Sequence, residues 1–242
     1  MKLLKSITVL ILLLCVTTTA NAQWGKWKKI KGDNNITTTA RSTGSYDGIK
    51  TAGSMDFNLV EGTEGNITIK GDANLMEYII TEVKNDKLVV KIKDGVNLKP
   101  SETIVVTIPY ESISSVSLAG SGDVVSSGVI RSDAFKVSLA GSGDINLNVQ
   151  AKILESNIAG SGDIALKGST TDLTVKIAGS GDFEGKSLKT TNVNAKITGS
   201  GGANVVCNGE LKARITGSGD VNYSGTPTNK DTKITGSGSV SN

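Results

Sequence analysis

From about Ser112 onward, apolar and polar residues alternate with a period of two, and a Gly-Ser-Gly triplet interrupts the alternation at regular intervals. Seven copies begin at Gly120, Gly141, Gly160, Gly179, Gly199, Gly217 and Gly236, spaced by 21, 19, 19, 20, 18 and 19 residues. Two places before each first glycine stands an aliphatic residue: Leu118, Leu139, Ile158, Ile177, Ile197, Ile215 and Ile234. Four places after it stand Val124, Ile145, Ile164, Phe183, Ala203, Val221 and Val240. Period-two alternation is the mark of strands with one buried face, so two strands flank each corner. The glycines allow the sharp change of direction between them.

A unit of about 19 residues at roughly 3.3 Å per residue traces a loop near 60 Å around, the size of one solenoid coil. One coil cannot bury its own apolar face, but stacking on similar coils about 4.8 Å away builds a continuous core and a parallel hydrogen-bond ladder. The pattern therefore predicts an all-β, right-handed parallel β-helix (β-solenoid) over residues 113–242, the hand following the preference of parallel crossovers. Gly236 to Asn242 reads as a truncated, polar last unit.

Residues 33–112 lack the triplet but keep strand-like runs at Met55 to Val60, Ile67 to Lys70, Leu88 to Lys93 and Thr103 to Ile108. Asn85-Asp86 reads as a hairpin turn. One short helix is expected near Leu75 to Ile80, started by Asp72, or by Asn74 with Glu77 three residues on. Open solenoid ends invite polymerisation, so this β-rich N-terminal part is the expected cap.

The start of the chain adds a compartment. Lys2 and Lys5, the apolar run Ile7 to Val16, and Ala20-Asn21-Ala22 compose a cleavable export signal over residues 1–22. Leu12 to Leu14 stand before Cys15 in place of the small residues that a lipidated cysteine requires. Residues 23–32 form a basic, aromatic segment, Trp24-Gly25-Lys26-Trp27-Lys28-Lys29-Ile30-Lys31. It reads as a solvated tail, with contact to an anionic membrane or glycan as the functional alternative.

Without the signal, 24 basic residues (26 less Lys2 and Lys5) face 23 acidic ones. A net charge of +1 excludes a general nucleic-acid binder. With no histidine in the chain, Ser-His-Asp and Cys-His nucleophiles and histidine-bound zinc are excluded. After cleavage Cys207 stands alone, so stability rests on packing and backbone pairing rather than on a disulfide.

Tyr46-Asp47-Gly48-Ile49-Lys50, Gly71-Asp72-Ala73-Asn74-Leu75 and the recurrent Gly-Ser-Gly-Asp resemble the DUF2807 family, whose other name is the putative auto-transporter adhesin, head GIN domain. The resemblance covers about Asp33 to Asn242. It implies an exported protein of bacterial envelopes, a right-handed β-helical fold and no established activity.

Two columns carry the candidate chemistry. Asp123, Asp144, Asp163, Asp182 and Asp220 follow the triplet, with Gly202 and Ser239 as exceptions. Carboxylates about 4.8 Å apart repel by roughly 0.9 kcal/mol in water, so something must offset them. Calcium held between coils is one reading, and an Asx-type bond from each carboxylate to nearby amides is the other. Lys176, Lys196, Arg214 and Lys233 form the second column, three residues before the glycine, where they are expected to screen the aspartates and to offer a binding surface for a polyanionic or glycan partner.

No unusual cluster interrupts the repeat at one coil, Gly202-Ala203 offers no base, and Cys207 reads as packing. The expectation is an exported, non-enzymatic envelope or surface protein that binds a glycan or protein without catalytic residue or cofactor. The alternatives are a carbohydrate-active β-helix enzyme and a purely structural protein.

Overall fold

The computed structural model describes residues 27–242; the expected export signal and residues 23–26 lie outside the described residues. The chain opens with β1 (Lys28–Lys31) and β2 (Ile36–Ser42), and β3 (Gly48–Gly53) and β4 (Asp56–Glu61) flank a first corner. An excursion follows through β5 (Asn66–Asp72), a 3-10 helix (Ala73–Tyr78) and β6 (Ile79–Lys84). The chain returns as β7 (Lys87–Ile92), β8 (Val96–Lys99) and β9 (Val105–Tyr110), and β10 (Ser115–Gly120) enters the repeats.

From there β11 (Val124–Gly141), β12 (Ile145–Gly160), β13 (Ile164–Gly179) and β14 (Phe183–Gly199) each run from one Gly-Ser-Gly corner to the next. The last coils are divided into β15 (Gly202–Val206), β16 (Glu210–Gly217), β17 (Asp220–Ser224), β18 (Asn229–Gly236) and β19 (Ser239–Ser241). All pairings within the repeats are parallel and bring equivalent residues side by side, giving a β-solenoid of about seven turns.

The corner sequence follows from backbone contact. Gly160 has φ 134°, and a Cβ on it would lie 2.2 Å from the carbonyl oxygen of Gly141 one coil below. Gly162 needs no unusual φ, but its Cβ would lie 2.0 Å from the Gly143 oxygen. One glycine is required for backbone conformation and approach, the other for approach alone. The closeness lets one carbonyl serve two donors: Gly141 O accepts from Ser161 N (2.9 Å) and Gly162 N (3.1 Å). Ser161 points outward and is exposed.

Between corners, in-register residues, apolar apart from Thr51, form continuous columns that are buried as far as Ile215 and Val221, half-buried at Val240 and exposed at Ile234. One runs Thr51, Leu118, Leu139, Ile158, Ile177, Ile197, Ile215 and Ile234. Another runs Phe57, Val124, Ile145, Ile164, Phe183, Ala203, Val221 and Val240. Size is matched locally: Ala203 sits beside Phe183, and Gly185 is required because its Cβ would meet the Phe183 ring at 2.6 Å. Burial of this apolar surface, at about 25 cal/mol per Å², is the main source of stability for a domain with no disulfide among its described residues.

The N-terminal part belongs to the same sheet as the repeats. The β3–β4 coil is sandwiched, with β10 and the start of β11 on one side and β7 and β9 on the other. The chain thus lays down an inner layer before the layer beneath it. β5 and β6 close that end by pairing antiparallel with β9 and β7, and β2 pairs antiparallel with β5. The β6–β7 turn is at Asn85-Asp86 as expected, both residues taking positive φ (50° and 57°). At the opposite end β18 pairs with β16 alone and is exposed throughout, with Lys230, Asp231 and Lys233 along it; charges on an edge strand oppose further pairing.

Two expectations need correction. Lys28–Lys31 is no solvated tail: it pairs in parallel with β8, and Ile30 packs against the core. The expected short helix is present as a 3-10 helix that begins at Ala73 with Asp72 at its N-cap position, but the Asp72 carboxylate does not cap it. Asp72 is fully buried and latches the loops of the cap, accepting from Asn34 N (2.8 Å), Ser101 N (2.9 Å) and Ser101 Oγ (2.6 Å). A propensity rule places aspartate at a helix start, but burial directed its oxygens to the donors with no other partner.

The Ser101 hydroxyl, followed by the amides of Ser101 and Asn34, holds the Asp72 carboxyl below its ordinary value of 3.8. A folded value below the unfolded one means a stabilisation that is complete above about pH 4 and is lost as the pH falls through the folded value. Urea melts from pH 7 to pH 2.5 should therefore show Asp72→Asn less stable than the parent at pH 7 and less sensitive to acid below pH 4. Equal acid sensitivity of the two proteins would contradict this role.

Candidate functional site

The corner that stacks the coils also aligns the residue that follows it. Asp123, Asp144, Asp163 and Asp182 stand on successive coils, and Asp56 of the β3–β4 coil extends the column by one. Each carboxylate accepts the backbone amide of the equivalent residue one coil on. Asp56 Oδ1 takes Asp123 N at 3.2 Å, Asp123 takes Asp144 N at 3.1 Å, Asp144 takes Asp163 N at 3.0 Å, and Asp163 takes Asp182 N at 2.8 Å. Asp182 accepts from Gly202 N at 2.6 Å, where the ladder breaks for want of a side chain. It resumes at Asp220, which accepts both Ser239 N (2.8 Å) and Ser239 Oγ (2.7 Å).

These bonds span coils and are not turns within one coil, so the Asx-type expectation is corrected to an inter-coil ladder. A net gain of about 1 kcal/mol per bond matches the repulsion of about 0.9 kcal/mol between neighbouring carboxylates. Among the described residues no group of three or more carboxylates and thiols is arranged to hold a metal ion.

The second column is in register as expected. Lys176, Lys196, Arg214 and Lys233 follow one another on β13, β14, β16 and β18, and Asn157 precedes them on β12. Their partners differ from the expectation. None forms an ion pair with a corner aspartate among the described residues: Lys176 pairs with Glu155 at 2.9 Å, and Arg214 with Asp231. Lys136 reaches the same Glu155 from the other side at 3.5 Å. The Lys176 ammonium holds the Glu155 carboxyl below its usual range, and the Arg214 guanidinium does the same to Asp231. Lys196 and Lys233 have no carboxylate within 4.0 Å among the described residues. Beside this column lies an open groove of about 350 Å³ lined by Asn157, Ala159, Lys176, Lys196 and Thr198.

The sequence pattern did not reveal two further features. An open groove of about 690 Å³ runs between Trp27, Ile92, Val96 and Leu98 on one side and the glycine-serine corners on the other. Glu155 and Asp231 temper the cation column, but their places become visible only from the register. Cys207 is buried and unpaired, and burial pushes its thiol up, away from the reactive thiolate.

The family model described as "DUF2807: Putative auto-transporter adhesin, head GIN domain" matches residues 45–227. Among solved structures, one described as a putative adhesin from Bacteroides fragilis is similar with a TM-score of 0.82 at 22% identity, over 88% of this chain and 99% of that one. Another, described as a putative lipid binding protein from Parabacteroides distasonis, has a TM-score of 0.73 at 26% identity, over 88% and 99%. A third, described as a putative adhesin from Parabacteroides merdae, has a TM-score of 0.71 at 24% identity, over 88% and 98%. No curated protein matches the chain. Among the described residues no helix is long and apolar enough to cross a membrane.

The ladder separates charge from hydrogen bonding in a testable way. Asp163→Asn keeps an acceptor for the Asp182 amide and removes a repelling charge, so its stability should equal or exceed the parent's. Asp163→Ala relieves the same repulsion but leaves the amide unpaired, so it should be less stable than Asp163→Asn by about 1 kcal/mol. Urea denaturation of both variants is the measurement, and equal stability of the two would show that the amide bond does not matter.

Proposed function

Because the chain belongs to the DUF2807 family, we propose that it is an exported, non-enzymatic protein of the bacterial cell envelope whose solenoid wall binds a glycan or protein as an adhesin does. The observation that carries this reading is the cation column. Lys176, Lys196, Arg214 and Lys233 repeat at the coil spacing of about 4.8 Å, and Lys196 and Lys233 have no ion-pair partner among the described residues.

A rigid row of like charges is costly to assemble without counter-charge. It suits a partner that carries anions at a regular spacing along a chain, and uronic-acid polysaccharides do. Individual exposed contacts of this kind contribute about 0 to 1 kcal/mol. Several made at once by one chain add up through effective concentration, so the binding is multivalent and weak per site. The adhesin descriptions of the family and of the Bacteroides fragilis and Parabacteroides merdae structures support the same reading.

The experiment is a titration of the protein with a uronic-acid polysaccharide and with neutral dextran, at low and high salt. Binding to the acidic chain alone, weakened at least about tenfold in the variant Lys196→Gln/Lys233→Gln and by high salt, is the expected result. Unchanged binding by the variant would overturn the assignment of the column. Release of shortened oligosaccharides would overturn the non-enzymatic reading.

A further inference from the structure

The sheet formed by β1 and β8 stands apart from the solenoid stack, and its two faces differ in kind. Ile30 pairs with Leu98 and Lys28 with Val96, and the buried Val96 and Leu98 set that phase toward the core. The other phase presents Lys29, Lys31, Asn97 and Lys99 to solvent. Lys31 lies directly opposite Lys99 in the register, a like-charge pair that destabilises a strand pairing. Segments 27–31 and 91–99 together hold six lysines and one carboxylate, Asp94. Asp94 is already engaged by Lys91 at 3.1 Å, and the remaining five lysines have no carboxylate within 4.0 Å among the described residues.

At the head of β1 stands Trp27, 66% exposed, on the rim of the groove whose apolar side is Ile92, Val96 and Leu98. An exposed indole on an apolar rim gains nothing from water. Beside a dense array of cations, it matches the boundary between headgroups and acyl chains.

From this juxtaposition we propose that the β1–β8 sheet docks the protein on an anionic lipid surface, with Lys29, Lys31 and Lys99 among the headgroups and Trp27 at their depth. The opposed lysines make a strand pair that external anions stabilise. Four residues at about 3.3 Å each give a platform near 13 Å long, broad enough for several headgroups and without walls to enclose a polysaccharide. Charge complementarity selects anionic lipid over zwitterionic lipid, and the indole selects a surface with an apolar layer over a soluble polyanion. This surface shares no residue with the cation column, so either assignment stands or falls without the other.

The test uses residues 23–242, which contain the whole described core and correspond in extent to solved structures that fold as such units. Cosedimentation with vesicles of phosphatidylglycerol and phosphatidylcholine, and with phosphatidylcholine alone, reads the binding. The expected result is binding to the anionic vesicles alone, reduced at least about tenfold in Lys29→Gln/Lys31→Gln/Lys99→Gln and reduced also in Trp27→Ala. The triple variant, relieved of the Lys31–Lys99 repulsion, should melt at or above the parent's temperature, which assigns its loss of binding to the lysines. For the parent alone, binding should weaken as salt rises from 50 to 300 mM, about one Debye-length halving. Equal binding by parent and triple variant would overturn the proposal. So would a parent that binds a uronic-acid polysaccharide through these lysines while ignoring the vesicles.

Discussion

The fold depends on how closely the backbones of successive coils approach at one corner. A carbonyl there accepts two amides of the next coil, as Gly141 O does from Ser161 and Gly162, and no side-chain carbon fits between them. The contact fixes the registration of each coil on the one below, because a slip by one residue would place a Cβ where the carbonyl stands and turn the apolar set outward. The buried columns, the aspartate ladder and the cation column all inherit their alignment from it.

Alignment makes function and cost two sides of one arrangement. Stacking places like charges about 4.8 Å apart on any exposed column, and the molecule answers differently on each. On the corner the carboxylates are tied to amides of the next coil, and on the wall Glu155 and Asp231 neutralise every other cation. Lys196, Lys233 and the Lys31–Lys99 pair are left without such an answer among the described residues. Surfaces whose electrostatic cost is unmet within the fold are the surfaces that an external anion can complete.

Most of the solenoid was legible in the sequence because its constraint is local and repeated. The glycine spacing, the aliphatic residue before each corner and the apolar residue after it predicted the columns, and Asn85-Asp86 predicted its turn. What the repeat could not carry was long-range order. The first corner, Gly53 to Asp56, escaped notice because Met55 replaces the second glycine there. A search that required only Gly-Ser, Asp and a following apolar residue would have found it through Asp56 and Phe57. The insertion of β3–β4 between β9 and β10, the pairing of Lys28–Lys31 with β8, and the inward turn of Asp72 all join residues far apart in the chain, and no periodicity records such joins. For the candidate site, the columns themselves were readable, whereas their partners, an amide one coil away or a glutamate on a neighbouring strand, required the register.

If each coil is a self-contained layer locked by its corner, a whole coil can be removed where half of one cannot. Deleting residues 161–179, which are 19 in number, joins Gly160 to Ser180 and leaves every column in register, whereas deleting the ten residues 161–170 does not. Circular dichroism with urea denaturation should show the first protein folding cooperatively, with a smaller denaturant slope in proportion to the surface lost, and the second failing to fold. Equal behaviour of the two deletions, or a 19-residue deletion that unfolds, would contradict the account.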